Sequence, residues 1–254
     1  MRAGRALGWA VLLLVLVSVA LAWSMPAGFG LRLLGQRLGP LDFAGVSGTL
    51  WEGRAAQARF FGVAIGPVSW RIERWPLVRG ITRIDLALEG EPVSGGGRLE
   101  TRGDLTRVDA ARLHFPARLL EPALDIPALD LRGEVVVEID QAELLQGLPR
   151  SAHGRAIWRE AAVAGAAAAA LGDLVADFRS TGPGEVAGTL ADRGGPLQLD
   201  GSFHASPLGF VAEARLSARG GNPQVREALN FVGQPMADGS VLYRVEGGFL
   251  GTRQ

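Results

Sequence analysis

Three kinds of residue in this chain have the chemistry to act on a substrate: three histidines, a few closely spaced carboxylates and two serines set among glycines. His114, His153 and His204 sit in unlike surroundings and lack the spacing of a metal-binding H-E-x-x-H helix. Each reads as a structural or surface histidine. Ser47 in "GVSGT" and Ser94 in "PVSGG" lack the glycine two positions earlier that a nucleophile elbow requires. Asp125 with Asp130, and Glu138 with Asp140, are spaced like paired carboxylates, but acids on the polar face of a strand have the same spacing and are solvated. "GPGEVAG", Gly182 to Gly188, has the glycines of a phosphate loop without its Lys-Ser/Thr ending or a following helix, so it reads as a turn between strands. No catalytic residue, cofactor site or metal site is assigned from the sequence, and the expectation is a protein that is not an enzyme.

Composition narrows the class further. Arginine supplies all 26 basic residues and balances 26 acids, with no basic stripe of the kind a nucleic-acid binder carries. Cysteine is absent, which excludes disulfides and thiolate metal sites. The 36 glycines and 14 prolines are spread along the body, as many turns between short strands require.

The elements around these residues begin with an apolar segment. Ala6 to Trp23, "ALGWAVLLLVLVSVALAW", carries no charge and as a helix would span about 27 Å, close to a bilayer core. Arg2 and Arg5 precede it, and the next charge is Arg32, a bias that puts the N-terminus in the cytoplasm and the body outside it. The alternative is a cleaved leader, for which Ala20-Leu21-Ala22 offers a small-x-small site. The length of the run favours a retained anchor. Either way the body is exported.

Beyond a linker or short helix at 26–43, apolar residues alternate with polar ones. Ile84, Leu86 and Leu88 share one face, as do Val135, Val137 and Ile139, then Leu197 and Leu199, then Val241, Tyr243 and Val245. Such alternation predicts antiparallel strands with one side toward water. One helix stands out in "NPQVREALNFVG", where Asn222 caps, Pro223 takes the first position, Val225, Leu229 and Val232 form the apolar face and Gly233 ends it. A weaker helix is predicted over Gln141 to Leu145.

"GTLWEGRA", Gly48 to Ala55, aligns with "GRAIWREAA", Gly154 to Ala162, placing Trp51 over Trp158 and bringing Gly66 and Gly172 to matching distances. Two approximate repeats are expected, 44–120 and 129–218, which makes the alanine run "AGAAAAALGDL" a strand and turn despite its helix propensity. In this reading Trp51 and Trp158 are buried plates of the core, while Glu52 and Arg54 form an exposed pair on the opposite face.

The same residues carry a family resemblance. An N-terminal membrane segment, "VSGTLWEGRA", "GPVSWRIERWPLVRG", "RAIWREAAV" with "LGDL", "GGPLQLDGSF" and "LNFVGQPMADGSVLYRVEG", in that order, resemble type II secretion system protein N, the general secretion pathway N family. The resemblance implies an accessory, non-catalytic component of the machine that moves folded proteins across the outer membrane. It implies a single-pass inner-membrane anchor, a periplasmic bulk, and the secretin and platform components C, D, L and M as partners. A fainter likeness to AsmA-type envelope proteins implies the rival reading: a lipid held in an apolar β groove lined by Leu86, Val135, Val137 and Leu199.

The expectation is a mainly β chain with an anchor at 1–25, a linker at 26–43 and a periplasmic domain at 44–254. That domain is one elongated, curved antiparallel sheet of two repeats with few helices, closing in a helix and strand at 222–249.

Overall fold

The computed structural model describes residues 26–28, 41–60, 63–124, 126, 128–145, 148–206 and 208–247. The predicted anchor, most of the linker, Asp125 and the tail after 247 lie outside the described residues. Among those described, no helix is long and apolar enough to cross a membrane.

Among the described residues, fourteen strands form one antiparallel sheet in which almost every strand pairs with its neighbours in sequence. They are β1 (Leu41–Gly48), β2 (Glu52–Phe60), β3 (Val63–Glu73), β4 (Ile81–Leu88), β5 (Ser94–Arg102), β6 (Leu105–Pro116) and β7 (Leu129–Leu145), followed by β8 (Leu148–Gly165), β9 (Ala169–Gly182), β10 (Glu185–Asp192), β11 (Leu197–Ser206), β12 (Gly209–Ala218), β13 (Gln234–Pro235) and β14 (Val241–Gly247). The order departs from the chain only at the end, where β14 lies between β12 and β13. A meander of this kind follows from short polar turns. Gly184, with φ +80°, turns the chain between β9 and β10, so "GPGEVAG" is a hairpin connection as expected. The predicted helix at Gln141 to Leu145 is instead the end of β7: paired to both β6 and β8, the segment gains two ladders of hydrogen bonds that outweigh a weak helix preference.

Among the described residues, two short α-helices interrupt the meander: α1 (Glu121–Leu124), which extends a 3-10 turn at Ala117–Leu120, and α2 (Pro223–Leu229). α2 starts where predicted, because the Asn222 side chain accepts hydrogen bonds from the N–H groups of Gln224 and Val225 at 3.0 and 3.1 Å, but it ends at Leu229, before Val232 and Gly233, where tighter i−3 hydrogen bonds from Phe231 and Val232 close the last turn. Val225, Ala228 and Leu229 are its buried face.

Strand alternation gives the sheet two unlike faces. On the inner face Trp70 lies beside Leu86, then come Gly97 and Ala111, then Ile139, Gly154 and Phe178. The same row continues through Gly188, Phe203, Ala212 and Val245, so apolar or small residues cross the sheet from β3 to β14. Aromatic rings repeatedly lie over cross-strand glycines in that row. A Cβ at Gly53 would come within 2.4 Å of the Trp70 ring, one at Gly154 within 2.8 Å of Phe178 and one at Gly188 within 2.4 Å of Phe203. Glycine there makes room for the ring, and the ring covers backbone that glycine leaves bare.

The outer face carries rows of alternating charge. Glu52, Arg71, Asp85, Arg98 and Asp109 occupy successive positions on β2 to β6, with Arg71–Glu52 and Arg98–Asp85 both 2.9 Å apart. A parallel row runs Glu73, Arg83, Glu100, Arg107, Glu143, with Arg83–Glu100 at 2.8 Å and Arg107–Glu143 at 3.0 Å. In the second half Arg112, Glu138, Arg155 and Asp177 continue the device. Exposed pairs contribute little each. Their value lies in register: sliding β4 along β3 by two residues would keep apolar residues inward but set Arg71 opposite Arg83.

The apolar face feeds two cores. The smaller groups Ala27, Ala55 and Trp70 with Phe43, Ile84 and Leu86, and the Trp70 indole donates to the Leu50 carbonyl at 3.0 Å. The larger gathers Leu129, Leu131, Leu171, Leu197 and Leu216 beneath α2. The second half of the sheet curls round this core, because Tyr243 on β14 donates a hydrogen bond to the Leu124 carbonyl at the end of α1, far away in the strand order.

Trp51 departs from its expected role. It lies half-buried in the β1–β2 turn with the Arg74 guanidinium 5.5 Å from its ring centroid, while Trp70 is the buried indole of this region. Trp158 lies within β8 between Val135 and Leu174, so the two tryptophans are not structural equivalents. The bulged positions do correspond: Ala58 faces Gly66 and Ala161 faces Gly172, all four at register shifts, with φ +96° at Gly66 and +91° at Gly172. The connection from Ala58 to Gly66 is shorter than that from Ala161 to Gly172, which is why matching sequence distances misplaced the tryptophan. Glu52 and Arg54 also pair elsewhere: Glu52 with Arg71 on the neighbouring strand, and Arg54 with Glu89 just past the end of β4, because side chains two apart on one strand are farther from each other than from opposite charges across the sheet.

Candidate functional site

At the end capped by the helices, the inner face does not close completely. Leu131 and Val135 of β7, Trp158 of β8, Leu174 of β9, Leu190 of β10, Leu199 of β11 and Tyr243 of β14 form the wall of a cavity of about 270 Å³. Leu124 of α1, Ile126, and Val225, Leu229 and Val232 of the α2 region cover it. The strands place these side chains by period-2 alternation, and α2 adds a second apolar layer by its 3.6-residue period.

The floor of the cavity explains why it stays open. Ala156, Ala176 and Ala214 lie on it, in a cross-strand row that also contains Leu190 and Gly201. The alanine methyl groups cannot reach the helices above. Trp158 and Tyr243 bring the polar side-chain atoms of the lining, and both donate to backbone: the Trp158 indole N–H to the Arg132 carbonyl at 2.8 Å, and the Tyr243 hydroxyl to Leu124. Among the described residues no buried side-chain polar atom lacks a partner. The cavity therefore presents hydrocarbon alone.

A half-buried polar anchor holds the turn beside this core. Asp192 ends β10 with its side chain only 11% exposed. Its Oδ1 accepts from the Gly194 N–H at 2.9 Å and from the Arg219 guanidinium, and its Oδ2 accepts from the Leu199 N–H at 3.0 Å. Burial disfavours the charged form, but the two backbone donors and Arg219 outweigh it and hold this carboxyl below its ordinary value.

Of the residues singled out for chemistry, His153 and Asp140 meet, and the other two histidines pair with acids that were not singled out. His114 pairs with Glu134 at 2.9 Å, His153 with Asp140 at 3.5 Å and His204 with Glu185 at 3.7 Å, each pair exposed on the outer face. Glu138 binds Arg112 and lines one outer-face pocket together with the His153–Asp140 pair. Among the described residues no three histidine, aspartate or glutamate side chains converge as metal ligands would. Of the four residues expected to line a groove, Val135 and Leu199 do so, Leu86 belongs to the smaller core, and Val137 packs against the larger core without lining the cavity. Leu174 and Leu190 were missed, although each has the inward parity of a strand residue; nothing local marks which inward residues will surround a void.

Fold and site together define a β-meander scaffold with an ion-paired outer face and an apolar inner face capped by two helices. Residues 40–244 match the family described as Type II secretion system (T2SS), protein N, and the chain belongs to that family. It is similar to the type II secretion system protein N of Vibrio cholerae serotype O1, with 25% identity over 252 residues, covering 96% of this chain and 98% of that protein. No solved structure matches it.

Proposed function

We propose that this protein is an accessory, non-catalytic component of the type II secretion system that works by protein–protein contact in the periplasm. Family membership across nearly the whole β body, residues 40–244, carries this reading. In this reading the apolar segment Ala6 to Trp23 tethers it to the inner membrane, and the body meets the secretin, component D, and the platform components C, L and M. The outer face suits such a role. Its rows of alternating charge present many weak, geometrically ordered pairs that an acidic or basic partner surface can exchange, which favours specific but reversible association.

We further infer that strands β1 to β12 are two copies of a six-strand unit, β1 to β6 and β7 to β12, each ending in a 3-10 turn and a short helix, with β13 and β14 added at the end. The matched bulges at Gly66 and Gly172 support this, as do the turns they touch: a Cβ at Gly66 would come within 2.8 Å of the Glu91 carbonyl, just before Pro92, and one at Gly172 within 2.6 Å of Gly195, just before Pro196.

Deleting the gene should reduce the amount of secreted protein in the medium and cause its accumulation in the periplasm. A photo-crosslinker placed on the outer face, at Asp85 or Asp177, should yield adducts with components C, D, L or M. Unaltered secretion together with an absence of such adducts would refute the proposal.

A further inference from the structure

We propose that the cavity beneath α1 and α2 is an acyl-chain site, holding one hydrocarbon chain of a lipid. Its wall offers nothing else to bind. The lining is leucine, valine, isoleucine and alanine apart from Trp158 and Tyr243, whose polar atoms are already committed to the Arg132 and Leu124 carbonyls. A ligand that brought a charge or an unpaired donor inside would lose its hydration without replacement.

Size and shape favour a chain. Protein interiors hold few voids larger than a water molecule, so a space of about 270 Å³ is a feature of the sequence that lines it. An apolar void of roughly 150 Å³ stays dry and takes up benzene, and by that measure this one holds on the order of ten carbon atoms. The alanines at 156, 176 and 214 keep it open where leucines would fill it. Beside this floor, one strand position further along, runs the inner row of Gly154, Phe178, Gly188 and Phe203, whose rings and bare backbone continue an apolar surface away from the helices. A long chain fits a pocket that passes into such a track, whereas a compact apolar molecule would use the pocket alone. The head group stays outside and is not selected by this wall, so a free fatty acid and a phospholipid share the chemistry.

The test uses the full chain in growing cells. The photo-reactive amino acid p-benzoylphenylalanine replaces Trp158 in the cavity or, as a control, Asp200 on the outer face, and the irradiated protein is purified under denaturing conditions for intact mass measurement. The expected result is a lipid adduct at position 158 with none at 200, its mass distinguishing a fatty acid from a phospholipid. The filling variant Ala176→Leu, made together with the probe at 158, should lower adduct yield about tenfold while the protein still melts cooperatively. Should that variant fail to fold, the milder Ala156→Val serves the same purpose. Equal labelling at both positions, no labelling at 158, or undiminished labelling in a folded filling variant would each overturn the assignment. The readout is the adduct and not secretion, so this site and the proposed secretion role stand or fall separately.

Discussion

Replacing Asp192 by asparagine removes the charge and one acceptor from a nearly buried junction while leaving its shape unchanged. The register of β10 with β11 ends at Ala191 and Asp200, so the Leu199 N–H has no ladder partner and depends on the Asp192 carboxylate. The same carboxylate serves Gly194 and Arg219 through its other oxygen. An asparagine has a single acceptor oxygen, so one backbone N–H is left facing an NH₂ group. Leaving a mostly buried donor unsatisfied costs about 1–3 kcal/mol, and weakening the remaining charge-assisted bonds adds about 1 kcal/mol. Taken near 3 kcal/mol, the loss corresponds to a fall in Tm of about 6–12 °C for a domain of this size. Circular dichroism melting of the full chain measures it. The pH dependence supplies an internal control. The folded pKa of Asp192 lies below its ordinary value, so its contribution is complete above the usual carboxylate range and disappears as pH falls through the lowered folded pKa. The gap in Tm between native protein and Asp192→Asn should be full at pH 7 and shrink below about pH 4. A variant that melts within about 1 °C of the native protein at pH 7 would show that water replaces the carboxylate at no cost, and the reasoning would be wrong.

Tyr243→Phe should loosen the curl of the sheet by leaving the Leu124 carbonyl unpaired, at a cost of about 1–2 kcal/mol, with amide exchange accelerating first at α1 and β14. Gly188→Ala forces a methyl group into the Phe203 ring and the Asp177 carbonyl, each 2.4 Å from the new atom, and should lower stability by about 1–3 kcal/mol in urea titration. Glu138→Arg sets three arginines in a row with Arg112 and Arg155; Tm should fall slightly at low salt and recover in about 1 M salt, since these groups are exposed and screened. A salt-independent loss of Tm in that variant would mean that packing, and not charge, holds the row.

Local chemistry made part of this molecule readable in advance. Alternation at Val135, Val137 and Ile139, and at Val241, Tyr243 and Val245, marked strands and their inward faces, because side-chain direction along a strand has a fixed period of two. Asn222 and Pro223 marked the start of α2 for an equally local reason, as a cap and a first-turn residue act within three positions of themselves.

Everything that depends on which strand lies beside which had to await the tertiary structure. Register decided that Arg71 stands between Glu52 and Asp85, in a row of alternating charge that opposes strand slippage. It also moved the buried indole of the first half from Trp51 to Trp70, since only cross-strand pairing shows that Gly53 leaves room for a ring at Trp70 and not at its own neighbour. The segment Gln141 to Leu145 became strand because partners on both sides supplied hydrogen bonds that no property of those five residues specifies. The cavity is the furthest removed from local sequence: alanines at 156, 176 and 214, unremarkable in their own strands, fall into one transverse row beneath α2, and a void is a property of what faces what across the fold.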